Sequence, residues 1–306
     1  MQWLRRIVGC VPGAKWAYGK LIYPFRRRSD EPFPRGHYYS PLPDLDEVEA
    51  KSESLFRTDV EINGGINLQS DSQVALFKDM VPLCKGDAFS PDPSPGFRYH
   101  GKNGIFQLGS ANFTSGMLLN LQPRRVIEIG SGFSSALMLD ASDRWLQHPA
   151  DFTFIEPYPD RLLTLMRSDD LDRHRLIKQP VQEVPESVFR ELQENDILFV
   201  DSTHVSKIGS DVNHLLFNVL PNLNPGVVIH FHDVYWPFEY PKSWILCNKW
   251  AWNECYILRA FLQYNSDFEI LLYIQYIRHK HTELMRSVWP AFFEDPGSAL
   301  WIRKCQ

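Results

Sequence analysis

From about residue 99 onward, short apolar runs alternate with helical stretches, and this alternation narrows the possible folds more than any other feature. The clearest runs are 125–129 (RVIEI), 152–156 (FTFIE), 196–201 (DILFVD) and 227–232 (VVIHFH), with a weaker one at 175–178. Runs of this kind suit strands covered on both faces, as in a parallel sheet. Helix candidates lie at 134–147, 160–167, 185–193, 211–220 and 250–264. Two last apolar runs, 268–277 and 299–303, are separated by a stretch broken by Pro290 and Pro296. No helix is expected between them, and they are expected to form an antiparallel pair at one sheet edge. The order of elements predicts an α/β domain.

Composition excludes several alternatives. Of 306 residues, 44% are hydrophobic, enough to bury a core, so a disordered chain is ruled out. Thirty-two basic residues stand against 37 acidic ones, a net charge of −5, so bulk electrostatic binding of nucleic acid is not expected. The five cysteines, Cys10, Cys84, Cys247, Cys255 and Cys305, are scattered and form no C-x-x-C pair. That disfavours a disulfide framework and a zinc module, and it predicts a reducing compartment, the cytoplasm. No apolar run is long enough to span a membrane.

Residues 1–28 carry Arg5, Arg6, Lys15, Lys20, Arg26, Arg27 and Arg28, no acid, and interleaved apolar residues such as Trp3 and Trp16. They lack the continuous apolar stretch of a signal peptide. Such a segment either lies on an anionic membrane or partner surface, or packs on its own domain with its charges in water. A proline-rich connector at 29–46 follows, and a second breaker cluster stands at Pro91, Pro93, Pro95 and Gly96. The expected division is an extension and connector over 1–90 and a catalytic domain over 91–306.

The first predicted strand runs into Gly130-Ser131-Gly132, and a helix follows. Glycines at a strand-to-helix turn let the backbone approach a ligand, and the helix start offers unpaired N–H groups. Glu156 ends the second run, where doubly wound folds place an acid that accepts hydrogen bonds from ribose hydroxyls. Asp201 ends the fourth run and Asp233 follows the fifth. Acids at these strand ends point to one shared crevice. Ser135 stands where a dinucleotide fingerprint has its third glycine, and Glu128 lies inside the first strand. A carboxylate there disfavours a pyrophosphate and favours a cationic ligand.

The segments E-I-G-S-G-F-S (128–134), F-I-E-P (154–157), F-V-D-S-T-H-V (199–205) and V-I-H-F-H-D-V (228–234) together resemble class I S-adenosylmethionine-dependent methyltransferases. Together they resemble a bacterial small-molecule branch often found near saccharide and natural-product biosynthesis. The resemblance covers about residues 95–306. It implies a doubly wound, mostly parallel seven-stranded sheet of Rossmann-like type whose last hairpin is antiparallel. It implies contacts to S-adenosylmethionine at Glu128, Gly130, Ser131, Gly132 and Glu156, with Asp201 beside them and the Gln182 region near the adenine. Residues 99–106 would pass over the donor as a lid or access segment, or form a plain polar loop.

Transfer of a methyl group to a hydroxyl needs alignment and removal of a proton. Asp201, His204, His232 and Asp233 are the candidates for this chemistry, with histidine suited to base work near neutral pH. The same neighbourhood offers Asp201, His204 and Asp233 as ligands for a divalent cation, which would lower the pKa of a hydroxyl instead. His230 shares a strand face with His232 and reads as a core or a site residue. The aromatic run 235–241, with Trp244, Trp250 and Trp252, reads either as a wall for a ring-shaped acceptor or as a cap on the sheet. Glu254 and Arg259 are expected on a solvated helix face. Transfer to an amine or peptide side chain, and a donor-binding scaffold without catalysis, are the competing readings.

Overall fold

The computed structural model describes residues 32–62 and 64–306. The basic segment 1–28 therefore lies outside the described residues. The chain divides into two units, Met1–Leu55 and Phe56–Gln306. In the described part of the first, the proline-rich stretch forms turns and then a short helix, Leu45–Ala50. Asp44 caps that helix, its side chain accepting the N–H groups of Asp46 and Glu47.

The second unit is built on one seven-stranded sheet. The strands are β1 (Arg125–Ile129), β2 (Asp151–Ile155), β3 (Arg175–Ile177), β4 (Ile197–Val200), β5 (Val228–His232), β6 (Phe268–Tyr273) and β7 (Ala299–Lys304). Their order is β3-β2-β1-β4-β5-β7-β6, parallel from β3 through β5. β7 runs antiparallel to both β5 and β6, so the expected edge hairpin is present. Every residue of β4 and β5 is buried, the reason those runs are continuous rather than alternating. Asp196 fastens the start of β4 to β1: one carboxylate oxygen accepts the N–H groups of Arg124 (3.0 Å) and Arg125 (2.8 Å).

Several elements differ from the sequence expectation, among them the helix expected over 185–193, which is only Glu186–Phe189. The run 268–277 is not one strand: β6 stops at Tyr273, and helices Ile274–Lys280 and Thr282–Val288 follow where none was expected. A buried apolar run of that length carries no period that separates strand from helix. The helix expected over 250–264 is Glu254–Leu262, because the N–H groups of Asn253 and Glu254 turn instead to the His204 carbonyl. The helix Leu108–Leu121 left no amphipathic signal, since nine consecutive or near-consecutive residues from Gly109 to Leu118 are buried around its circumference. Helix Ser70–Met80, ahead of the expected boundary at 90/91, packs against it and against β6. Gln73 accepts the Tyr273 N–H at 2.7 Å, which blunts the end of edge strand β6.

Arg98 ties the segment leading to residues 99–106 onto the helix Phe133–Trp145. Its guanidinium is almost wholly buried and donates to Asp140 (2.9 Å) and Asp170 (2.8 Å). The Arg98 and Tyr99 N–H groups donate to the other Asp140 oxygen at 2.7 and 2.9 Å.

Candidate functional site

Strand register sets up the site. Ile129 is level with Ile155 and with Val200, and Val200 with Phe231. The next residues, Gly130, Glu156, Asp201 and His232, therefore emerge in one row at the carboxyl edge of the sheet. The strand order reverses between β1 and β4, the place where open α/β sheets bind ligands. Only glycine fits at the turn: Gly130 has φ +81°, and a Cβ there would stand 1.8 Å from the Asp201 carbonyl oxygen.

A cavity of about 430 Å³ opens over this row, lined by Gly130, Glu156, Gln182, Asp201, Ser202 and Lys207 among others. Glu156 is fixed by its own turn, accepting the N–H groups of Ser131 (3.2 Å) and Tyr158 (2.8 Å). The Ser202 hydroxyl is buried with no hydrogen-bond partner, a polar atom in the lining that is free to meet a ligand. Gln182 donates to the Gly209 carbonyl at 2.8 Å and joins two rims of the cavity.

Glu128, Ser131 and Gly132 do not line this cavity. Glu128 is fully buried beneath the glycine turn, where it accepts hydrogen bonds from Ser134 (2.6 Å) and Ser135. The Ser135 hydroxyl in turn accepts the Gly132 N–H at 2.9 Å. Glu128 thus holds the turn in shape. Burial pushes its carboxyl up to about 8 against those two hydrogen bonds. The folded chain then keeps a proton there that the unfolded chain has lost, so stability falls as pH rises from the ordinary carboxyl range to about 8. One such group contributes a slope of at most about 1.4 kcal/mol per pH unit. Denaturant unfolding from pH 5 to 8 should show this fall in the wild type relative to Glu128→Gln. Parallel curves for the two proteins would refute the assignment.

The four candidate residues for proton chemistry converge. His204 Nε2 lies 3.4 Å from Asp201 Oδ1 and 3.8 Å from Asp233 Oδ2, and His232 Nε2 lies 3.7 Å from Asp233 Oδ1. One ligand atom each from Asp201, His204 and Asp233 falls within 4.8 Å of the others, the cluster among the described residues with spacing suited to a cation. Both His204 (φ 58°) and Asp233 (φ 56°) are left-handed, a backbone conformation that concentrates at working sites. Ser298, from the start of the β7 hairpin arm, donates to Asp233 at 2.8 Å.

One member was missed by sequence reasoning. Glu254 is buried rather than on a solvated face, and its carboxylate meets His204 Nδ1 at 2.8 Å. Its place is set by the chain path, in which the His204 carbonyl accepts the N–H groups of Asn253 (3.1 Å) and Glu254 (3.2 Å), and no local sequence pattern reports that pairing. Burial alone would push the His204 imidazole down, but hydrogen bonds to Asp201 and Glu254 and their charges hold it well above its ordinary value. Burial likewise pushes Glu254 up, against the pull of His204. Asp201 is held low despite burial, chiefly by the charge of His232 and the hydrogen bond from His204.

His230 is a core residue by its surroundings. It stacks on Phe199 with centroids 3.9 Å apart, meets Trp301 edge-on, and burial pushes its imidazole well down. The aromatic run serves two ends. Trp236, Phe238 and Tyr240 are buried as a cap, whereas Trp250 is partly exposed and stacks on Trp252 at 4.6 Å. Trp252 in turn covers His204 at 4.5 Å. Residues 99–106 form a knitted turn. Asn103 donates to the carbonyls of His100 and Phe106, accepts the N–H groups of Ile105 and Phe106, and sets the Phe106 ring 5.0 Å from His232.

Comparison with known proteins agrees with this geometry. Residues 127–234, from β1 through the Asp233 turn, match the family described as "Methyltransferase domain". This stretch is a methyltransferase domain. A relative from Archaeoglobus fulgidus, described as "Uncharacterized protein", is 33% identical to this chain over 173 residues, covering 54% of this chain and 76% of the relative. Two solved structures overlap it more loosely. The Podospora anserina methyltransferase PaMTH1 bound to SAH is 17% identical, with TM-score 0.41, over 87% of this chain and 99% of that one. The O-methyltransferase from Bacillus cereus in complex with SAH is 14% identical, with TM-score 0.38, over 74% and 88%. Among the described residues, no helix is long and apolar enough to cross a membrane.

Proposed function

We propose that this enzyme transfers the methyl group of S-adenosylmethionine to a hydroxyl of a small molecule, a saccharide or secondary metabolite, with His204 as the general base. The observation that carries the reading is the direction of His204: one ring nitrogen is engaged by Glu254, and the other faces Asp201 and Asp233 beside the cavity. The cavity suits the donor. Glu156 supplies acceptor oxygens for ribose hydroxyls, Gln182 stands toward the adenine end, and the nearby acids favour a positive charge. Gly130 brings the backbone close, while Glu128, Ser131 and Gly132 shape the turn.

When bound, S-adenosylmethionine supplies a methyl carbon activated by its sulfonium. The acceptor oxygen forms the new bond to that carbon, the carbon–sulfur pair leaves on sulfur, and the hydroxyl proton passes to His204 Nε2. Asp201 and Asp233 orient the acceptor, His232 backs Asp233, and the enclosing segments exclude water. The clustering of Asp201, His204 and Asp233 favours a second reading, in which these three hold a divalent cation that acidifies the hydroxyl. The four free cysteines among the described residues suit the cytoplasm as the place of action.

Calorimetry with S-adenosylmethionine and its demethylated product tests the donor site. Both should bind, and Glu156→Ala should weaken them about tenfold or more, as expected for a lost pair of hydrogen bonds to a charged group. Unchanged affinity would move the ribose elsewhere. Mass spectrometry of an acceptor pool should then show a product heavier by one methylene unit. A methylated amine or peptide would replace the hydroxyl reading, and donor binding without any product would leave a scaffold. Loss of activity on chelation, restored by magnesium, would select the cation reading.

A further inference from the structure

We propose that Glu254 is a positioning residue that fixes which nitrogen of His204 faces the reacting groups. The inference rests on the proposed placement of the transfer site and adds a residue to it. Glu254 is 2% exposed and opens the helix Glu254–Leu262, far in sequence from the strand ends that carry the other acids. Its Oε2 stands 2.8 Å from His204 Nδ1. A carboxylate only accepts, so each ring nitrogen of the charged imidazole faces one; when the ring is neutral, Glu254 at 2.8 Å rather than Asp201 at 3.4 Å keeps the one hydrogen, on Nδ1, and the Nε2 lone pair is left for the crevice.

The surroundings leave the ring no second orientation of equal quality. The His204 carbonyl is clasped by the N–H groups of Asn253 and Glu254, which sets the left-handed backbone from the same helix start. Asn253 and Ser206 bond reciprocally, Ser206 N–H to Asn253 Oδ1 at 2.6 Å and Asn253 Nδ2 to the Ser206 carbonyl at 3.1 Å. Trp252 closes one side of the ring at 4.5 Å. Three successive residues, Trp252, Asn253 and Glu254, thus cover, clasp and orient one histidine. Both a proton acceptor and a cation ligand need the Nε2 lone pair in the crevice, so the role stands under either reading of the chemistry.

The test uses the full chain, labelled with ¹⁵N at histidine, with saturating S-adenosylhomocysteine, and long-range ¹H–¹⁵N spectra. His204→Gln identifies the resonances. At a pH high enough for a neutral ring, wild type should show hydrogen on Nδ1 alone. Glu254→Leu should shift the population toward the Nε2–H form by fivefold or more. Glu254→Gln, which keeps an acceptor oxygen, should restore the wild-type form. A wild-type ring carrying hydrogen on Nε2, or a Glu254→Leu spectrum equal to wild type, would overturn the assignment. Should the leucine variant fail to fold, the wild-type and glutamine spectra still decide. Calorimetry of S-adenosylhomocysteine on the same samples reports on the donor site separately: absent binding sinks that reading while the tautomer result stands by itself.

Discussion

Replacing His204 with glutamine should slow methyl transfer by about 10²–10⁴-fold, the usual range for losing a positioned base. Donor affinity should change little, because His204 is not among the residues lining the cavity assigned to the donor. Glutamine keeps a polar side chain of similar reach but cannot take a proton. The pH profile of the wild type provides the second half of the test. Only the neutral imidazole accepts a proton, and the Asp201 and Glu254 partners hold His204 charged to well above its ordinary value in spite of burial. Activity should therefore rise with pH through the region above neutrality. A limb at or below the ordinary histidine value, or a glutamine variant with full activity, would place the base elsewhere.

Arg98→Met should strongly destabilise the fold. Arg98 is the cation shared by Asp140 and Asp170, all three almost wholly inaccessible to water. Removing one partner of such a set leaves buried charge unpaired and costs about 3–5 kcal/mol. Arg173 stays 3.0 Å from Asp170 and Arg167 3.6 Å from Asp140, so the lower part of that range is expected. For a unit of this size the melting temperature should drop by roughly 10 °C. The loss has a functional side too. The Asp140 carboxylate also holds the backbone at Arg98 and Tyr99, and the Tyr99 hydroxyl donates to the Phe106 carbonyl at 2.7 Å. Loosening this end frees the turn that sets Phe106 against His232. A variant that melts within about 2 °C of wild type would show the cluster to be dispensable.

Much of the sheet was legible because its parallel strands are short, continuous apolar runs ended by chemistry-bearing residues. β1, β2, β4 and β5 fall within a residue of the ranges read from sequence, and the edge hairpin is antiparallel as expected. Helices buried on all sides were not legible. Leu108–Leu121 has no polar face, and the buried first turn of Ile274–Lys280 continues the run of β6 without a break. Periodicity reports contrast between faces, and these segments have little contrast to report.

The site divided along the same line. Sequence alone placed Gly130, Glu156, Asp201, His232 and Asp233 together, because each lies at a strand's carboxyl end and parallel strands bring those ends to one edge. It could not tell that the Glu128 carboxylate is taken up by Ser134 and Ser135 beneath the glycine loop, since that depends on how the following helix start folds back. Nor could it find Glu254, whose partner His204 lies fifty positions away across a loop. Strand ends are set by local apolar pattern and so can be read from the chain. The pairing of two buried ionisable groups is set by how loop and helix fold back on each other, and that only the tertiary structure decided.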